Sequence, residues 1–108
     1  MDRITLEDFK KLEIRIGRVV GAEKVESTDK LLKLEVDFGD FKRQIVAGIS
    51  QFYKPEDLVG KECPFLLNLE YRRFKGIESQ GMLLAVGVDD KAVLLHPDKN
   101  VQEGSLIK

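Results

Sequence analysis

Between Leu32 and Phe38 the chain alternates without a break: Leu32, Leu34, Val36 and Phe38 are apolar, and Lys33, Glu35 and Asp37 are polar. A period of two describes a strand with one face in a core and the other in water. Gly39-Asp40 then forms a turn pair, and Phe41 to Gly48 returns as the second arm of a β-hairpin. This hairpin constrains the rest of the fold, because no segment of the chain supplies the long crossovers, about a dozen residues each, that a parallel sheet needs.

The remaining segments fit around such a hairpin. Thr5 with Asp8 three residues on resembles a capping pair. Leu6, Phe9 and Leu12 are spaced by three, which predicts one or two turns of amphipathic helix ending near Glu13, a plug or flank for the body. Ile14 and Ile16 alternate with Arg15, and the pattern then slips at Gly17 before Val19, which predicts a bulged, bending strand. Periodicity is lost from Ile49 to Gly60, so Pro55 to Gly60 reads as a connector holding at most one helical turn. Lys61 to Leu69 alternates again through Cys63, Phe65, Leu67 and Leu69, with Pro64 pointing to an edge or a bulge. Met82 to Val88 and Ala92 to Leu95 are the last strands, joined by a turn at Asp89-Asp90-Lys91. Six or so short strands with sharp bends favour an all-β class and a small closed barrel. The chain of 108 residues makes one domain, 1–108, that buries roughly 65% of its unfolded surface.

Cysteine usage and charge narrow the function. Cys63 is the only cysteine, so an internal disulfide is impossible, and with His96 as the only histidine there is no zinc or iron site and no expected cofactor. Cys63 reads as a small buried hydrophobe, and His96 before Pro97 as the end of a strand. The apolar runs Phe65 to Leu67 and Met82 to Val86 fall far short of the roughly 18 residues of a membrane span. Met1-Asp-Arg-Ile-Thr carries no signal-peptide core, so a cytoplasmic protein with no membrane attachment is expected. A net charge of −1 argues mildly against nucleic acid, but the charge is uneven. Lys10, Lys11, Arg15, Arg18, Lys30, Lys33, Lys42, Arg43, Arg72, Arg73 and Lys75 all precede residue 76, which leaves room for a basic face on a neutral body.

The stretch from Asn68 to Ala85 carries the most chemistry. Arg72, Arg73 and Lys75 suit phosphates, Tyr71 and Phe74 offer ring faces for stacking, and Ser79 and Gln80 are neutral donors and acceptors beside them. Gly76 and Gly81 suit turns that need positive φ. Several of these residues also have purely structural readings. Ser79 could bond its own loop, Met82 opens an apolar strand, and Lys42 and Arg43 lie in a strand whose outward face must be polar in any case. A hydrolase is disfavoured because no histidine lies near Ser79 in sequence.

Taken in order, Asp29-Lys-Leu-Leu-Lys-Leu-Glu-Val-Asp-Phe-Gly, Arg43-Gln-Ile-Val-Ala-Gly-Ile, Pro55-Glu-Asp-Leu-Val-Gly-Lys, Asn68-Leu and Gly76-Ile-Glu-Ser-Gln-Gly-Met-Leu-Leu-Ala resemble the tRNA-binding domain family over almost the whole chain. The resemblance implies an OB-fold, a five-stranded barrel with a short N-terminal helix and a C-terminal extension of extra short strands. It also implies a homodimer that grips the outside of L-shaped tRNA by shape, without catalysis, with the catalytic subunit of methionyl-tRNA synthetase as a partner. A chain that begins at Met1 with its own helix and ends soon after Gly104 is expected to be the free-standing or beta-subunit form. Carried over, the family's motif lands on Gly76, Glu78, Ser79, Gln80, Gly81 and Met82. Its binding surface includes Ser79 and Met82, flanked by Asn68, Lys30, Lys33, Lys42 and Arg43. Two departures stand out: Val25-Glu-Ser-Thr replaces the usual His-Pro loop, and Glu70-Tyr71 replaces Lys-Pro after Asn68-Leu. The other reading is a polypeptide-binding, chaperone-like relative, for which no exposed apolar stripe is evident in the sequence.

Overall fold

The computed structural model describes residues 1–108 and holds two short helices and nine strands. In chain order these are α1 (Leu6–Lys10), β1 (Ile14–Lys24), β2 (Leu32–Asp37), β3 (Lys42–Ala47), α2 (Pro55–Leu58), β4 (Glu62–Leu66), β5 (Arg72–Phe74), β6 (Ile77–Ser79), β7 (Met82–Leu83), β8 (Ala85–Val88) and β9 (Lys91–Leu94). One antiparallel sheet runs β3-β2-β1-β4-β7, with β5–β6 and β8–β9 as separate hairpins. The two ends of the sheet meet through the segment leading into β7. Gln80 N donates to Gln44 O at 2.8 Å, and Gln44 Nε2 donates to Glu78 O at 2.8 Å. The result is the nearly closed five-strand barrel that the sequence implies.

The alternation of β2 becomes the core: Leu32, Leu34 and Val36 point inward with Phe38 beyond them, and Ile45 and Ala47 face them from β3. Val19, Leu58, Phe65 and Leu67 complete this interior. Each such side chain contributes about 1.5–3 kcal/mol on burial, so Leu34→Ala would cost about 2–5 kcal/mol once the cavity is included.

Several local expectations need correction. The break in β1 lies between Val19 and Gly21, with Val20 exposed, and not at Gly17. Gly17 pairs with Cys63 and is glycine for space, since a Cβ there would meet Val36 Cγ1 at 2.5 Å and Phe38 Cε1 at 2.6 Å. Pro64 is neither at an edge nor in a bulge. It lies opposite Ile16, whose N–H and C=O turn away to bond Ser105 and Gly104, so β1 asks no donor of it. On the other side β7 has already ended, and Leu84 N donates to Pro64 O. The strand here is shorter than the alternation suggested, buried at all five positions, with Leu69 left outside on the surface. Thr5 caps α1 by accepting from Asp8 N at 3.0 Å, but the helix stops at Lys10 and buries no residue, so it is a flank and not a plug. The strand expected from Met82 to Val88 is interrupted at Leu84.

The C-terminal segment straps across the open side of β1. Gly104 N donates to Ile16 O, Ile16 N to Ser105 O, and Ile107 N to Ile14 O. Arg18 fastens it by donating from Nε to Glu103 Oε1 at 2.7 Å, which holds the Glu103 carboxyl below its ordinary range and raises Arg18. Glu62, buried in β4, accepts from Val101 N and lies 3.6 Å from Arg18.

Candidate nucleic-acid interface

The basic stretch forms a hairpin of its own, which the sequence reading took for a loop. Arg72 pairs with Ser79, Arg73 with Glu78 and Phe74 with Ile77, around a two-residue turn in which Lys75 (φ +53) and Gly76 (φ +80) both take positive φ. A turn of this kind matches the twist of the two arms, and glycine adopts it without strain. Gly81, by contrast, has no positive φ. Its missing Cβ makes room for Leu66 O and Ile45 Cδ1, 3.1 and 3.2 Å from where one would stand.

Ser79 fastens this hairpin to the barrel. It is buried, its Oγ accepts from Val46 N at 2.9 Å, and the same hydroxyl donates to Gly81 O at 2.9 Å. Gln80 acts alongside it: Oε1 accepts from Gln44 N at 3.1 Å and Nε2 donates to Glu78 at 3.2 Å. Neighbouring strand edges and these two side chains therefore set where Arg72, Arg73 and Lys75 stand.

The cations differ in how free they are. Arg72, Arg73, Lys75 and Lys30 are exposed and form no ion pair. Lys33 pairs with Glu23 at 2.7 Å and Lys42 with Glu35 at 3.7 Å, both on the outer face of the barrel. Arg72 lies 4.9 Å from the Phe74 ring centroid, so one face of the half-buried Phe74 is already covered; Tyr71 has Arg43 5.7 Å from its centroid but is itself exposed. Lys24, Lys33 and Lys75 line a groove of about 370 Å³ between the β1–β2 loop and the hairpin turn, together with Glu26 and with Glu23, the ion-pair partner of Lys33. Met82 is on the surface and shares a small hollow with Arg72 and Phe74.

Two expected flanking residues are positioned differently. Arg43 lies on the inner side of β3 with Ile45 and Ala47, where Nη1 donates to Leu67 O at 2.7 Å and Gln80 O at 3.0 Å. The period of two could have revealed this, since Arg43, Ile45 and Ala47 share one parity. Asn68 clips the linker after α1: Oδ1 accepts from Glu13 N at 2.8 Å and Nδ2 donates to Lys11 O at 2.6 Å. Phe41 and Arg15 went unnoticed as site residues, yet both line a cleft of about 440 Å³ beside Arg43 and Asn68.

A second surface is chemically unlike the first. On β8–β9, Val86 stands opposite Val93, and Val86, Val88, Val93 and Leu95 all face outward, each 42–46% exposed. Leu94 and Ala92 point the other way into the core. An exposed apolar stripe is therefore present, contrary to the sequence-based expectation. Near it His96 Nδ1 donates to Glu62 O at 2.7 Å, and burial pushes the Cys63 thiol up to about 11. A thiol so held is not a nucleophile near neutral pH.

Comparison with known proteins adds an independent line. The profile of a family described as "Putative tRNA binding domain" matches residues 14–106. A methionine–tRNA ligase from Archaeoglobus fulgidus is 53% identical over 98% of this chain and 16% of that protein. Another, from Caldanaerobacter subterraneus, is 48% identical over 99% of this chain and 17% of its own length. The chain thus spans about a sixth of the curated relatives it matches. Among solved structures, a MetRS related protein from Pyrococcus horikoshii superposes with a TM-score of 0.94 at 39% identity, covering 100% of both chains. The chaperone CsaA from Bacillus anthracis superposes with a TM-score of 0.90 at 34% identity, covering 99% of this chain and 100% of that one.

Proposed function

We propose that this chain, which belongs to the tRNA-binding domain family, is a non-catalytic protein that recognises folded tRNA by shape, acting as an accessory or beta subunit of methionyl-tRNA synthetase. The observation that carries the reading is the β5–β6 hairpin, where Arg72, Arg73 and Lys75 stand exposed without an acidic partner on a scaffold bonded to the barrel edge. Phosphates approaching that hairpin release counterions at each contact, and this favours any polyanion. Lys30, Lys33, Lys42 and Met82 extend the contact surface. Ser79, Gln80, Arg43 and Asn68 hold it in position. Selectivity for tRNA over other RNA comes from geometry: a homodimer sets two such hairpins at a fixed spacing that a rigid L matches and a flexible strand must be ordered to meet.

The homodimer is formed through the outward face of β8–β9. Four apolar side chains there would otherwise stay in water, and two copies face to face cover them symmetrically. The cytoplasm is where such a protein and its tRNA meet.

The test is equilibrium binding of folded tRNA against an unstructured RNA of equal length, titrated over salt, with the oligomeric state recorded at each concentration. Tighter, salt-sensitive tRNA binding by a dimer is the expected outcome. Equal, weak binding of both RNAs overturns the shape-reading role. A second reading, a polypeptide-binding chaperone-like protein, is favoured by the apolar β8–β9 face and by the similarity to the CsaA chaperone. It requires that an unfolded polypeptide compete with tRNA, or bind where tRNA does not.

A further inference from the structure

The cleft at the end of the barrel is built differently from the phosphate-facing hairpin. Arg43, fixed by its bonds to Leu67 O and Gln80 O, has its guanidinium carbon 5.2 Å from the Phe41 ring centroid and 5.7 Å from that of Tyr71. Phe41 in turn stacks on Phe38 at 5.4 Å with planes 24° apart, and Phe38 meets Phe65 edge-on at 5.6 Å. A continuous π ladder therefore climbs from the core to the surface. Its outermost ring, Tyr71, is 47% exposed.

We infer that the exposed face of Tyr71, next to the cleft that Phe41 and Arg43 line, is a subsite for one unpaired RNA base, stacked on Tyr71 with its phosphate at Arg73. This rests on the tRNA-binding reading and specifies what part of the RNA enters. Three observations converge on it. The ladder holds its outer ring ready, so little side-chain freedom is lost when a base lands on it. Asp40 and Gln102 line the cleft with side chains that make no hydrogen bond within the protein, free to meet the polar edge of a base. Finally, Arg73 is exposed two residues after Tyr71, and its guanidinium bonds only Gly76 O.

Charge fixes the orientation. Glu13 is paired with Arg15, and Glu103 with Arg18; Arg43 has no acidic partner, but its guanidinium is bonded to Leu67 O and Gln80 O, so Asp40 is the one acid in the cleft without a cation and disfavours a phosphate beside it. The base lies on Tyr71 and the phosphate stays on the side of the β5–β6 cations, away from Asp40. Paired bases in an A-form helix hide their faces in the stack, so only an extruded or single-stranded nucleotide presents the surface this ladder needs.

The experiment compares two RNA hairpins, one fully paired and one carrying a single 2-aminopurine bulge, against the intact chain and its Tyr71→Leu and Tyr71→Phe variants. The intact chain is expected to bind the bulged RNA about tenfold more tightly and to quench its fluorescence, consistent with one base-on-aromatic contact. Tyr71→Leu is expected to erase the preference while leaving the paired hairpin within about twofold, and Tyr71→Phe to retain it. Equal affinity for both RNAs in the intact chain, or quenching that survives Tyr71→Leu, overturns the subsite and leaves the phosphate reading standing. No binding to either RNA, with Tyr71-dependent capture of an unfolded polypeptide instead, overturns both.

Discussion

Two hairpins are attached to one barrel, β5–β6 and β8–β9, and they present opposite chemistry to water. The first is held by polar bonds: Ser79 Oγ to Val46 N, and Gln44 to the carbonyl of Glu78. Its outward groups are cations. The second is held by burial, with Leu94 at 9% exposure in the core and Leu94 N donating to the Tyr53 hydroxyl at 3.2 Å. Its outward groups are valines and a leucine. A strand anchored through hydrogen bonds at its edge leaves its side chains free to stay solvated, which suits a polyanion. A strand anchored by one apolar face while the other is also apolar calls for a protein surface to cover it.

The sharpest way to break this contrast is Val93→Asp. Val93 is 45% exposed, so the isolated fold should persist by circular dichroism, but a carboxylate trapped in the proposed interface costs several kcal/mol. Sedimentation should show the dimer becoming monomer, with a dissociation constant raised more than about 100-fold. Shape selectivity for tRNA should disappear with it. A dimer that survives would move the interface elsewhere.

The complementary change is Arg72→Ala with Arg73→Ala and Lys75→Ala. Three lost phosphate contacts should lower tRNA affinity on the order of 10- to 100-fold at moderate salt and reduce the logarithmic salt slope by about 2 to 3. The oligomeric state should not change. An unaltered slope would mean that phosphates are met elsewhere on the barrel.

How far this contrast could be read from the sequence follows the physics of each region. The β2–β3 hairpin was legible because Leu32, Leu34 and Val36 alternate against a solvated face, and period two leaves no other solution. The basic hairpin was seen as chemistry but not as a fold. Arms of three residues hold too little alternation to register, and Lys75 at positive φ is a conformation no propensity favours. Ser79 has both a contact and a scaffold reading in the sequence, because its partner Val46 lies 33 residues away and the bond forms only on barrel closure. The apolar face of β8–β9 was hidden by its composition. Residues 85–95 are apolar on both sides, and sequence alone cannot tell which side the core takes.

Ser79 now gives a smaller, cleaner test of the hydrogen-bonded anchor. Ser79→Asp would place a charge in a buried site and disturb closure together with any RNA contact, so Ser79→Ala is the informative change. It leaves Val46 N without its acceptor and should cost about 1–3 kcal/mol in urea unfolding. At 4% exposure Ser79 is already out of reach of a phosphate, so tRNA affinity measured well below the unfolding midpoint should change less than about twofold. A large loss of affinity at unchanged stability would instead make Ser79 a direct contact.

The buried anchor of the other hairpin has its own reporter in Cys63. Burial pushes this thiol from an ordinary 9.0 to about 11, and it shares the core cluster with Leu94. Thiol reagents attack the thiolate, so labelling of the native protein at pH 8 should be more than about 100-fold slower than labelling of the unfolded chain. The folded pKa is the higher one. The stabilising contribution is therefore complete below pH about 9, where both states keep the proton, and is lost as pH rises through about 11. Leu94→Ala opens a cavity in the core cluster that holds this thiol and should speed labelling. Ser79→Ala, on the opposite anchor, should leave the rate nearly unchanged at equal denaturant distance from its midpoint. Equal acceleration by both variants would mean that the hairpins open together, as one cooperative unit with the barrel, and that their independence is chemical only and not mechanical.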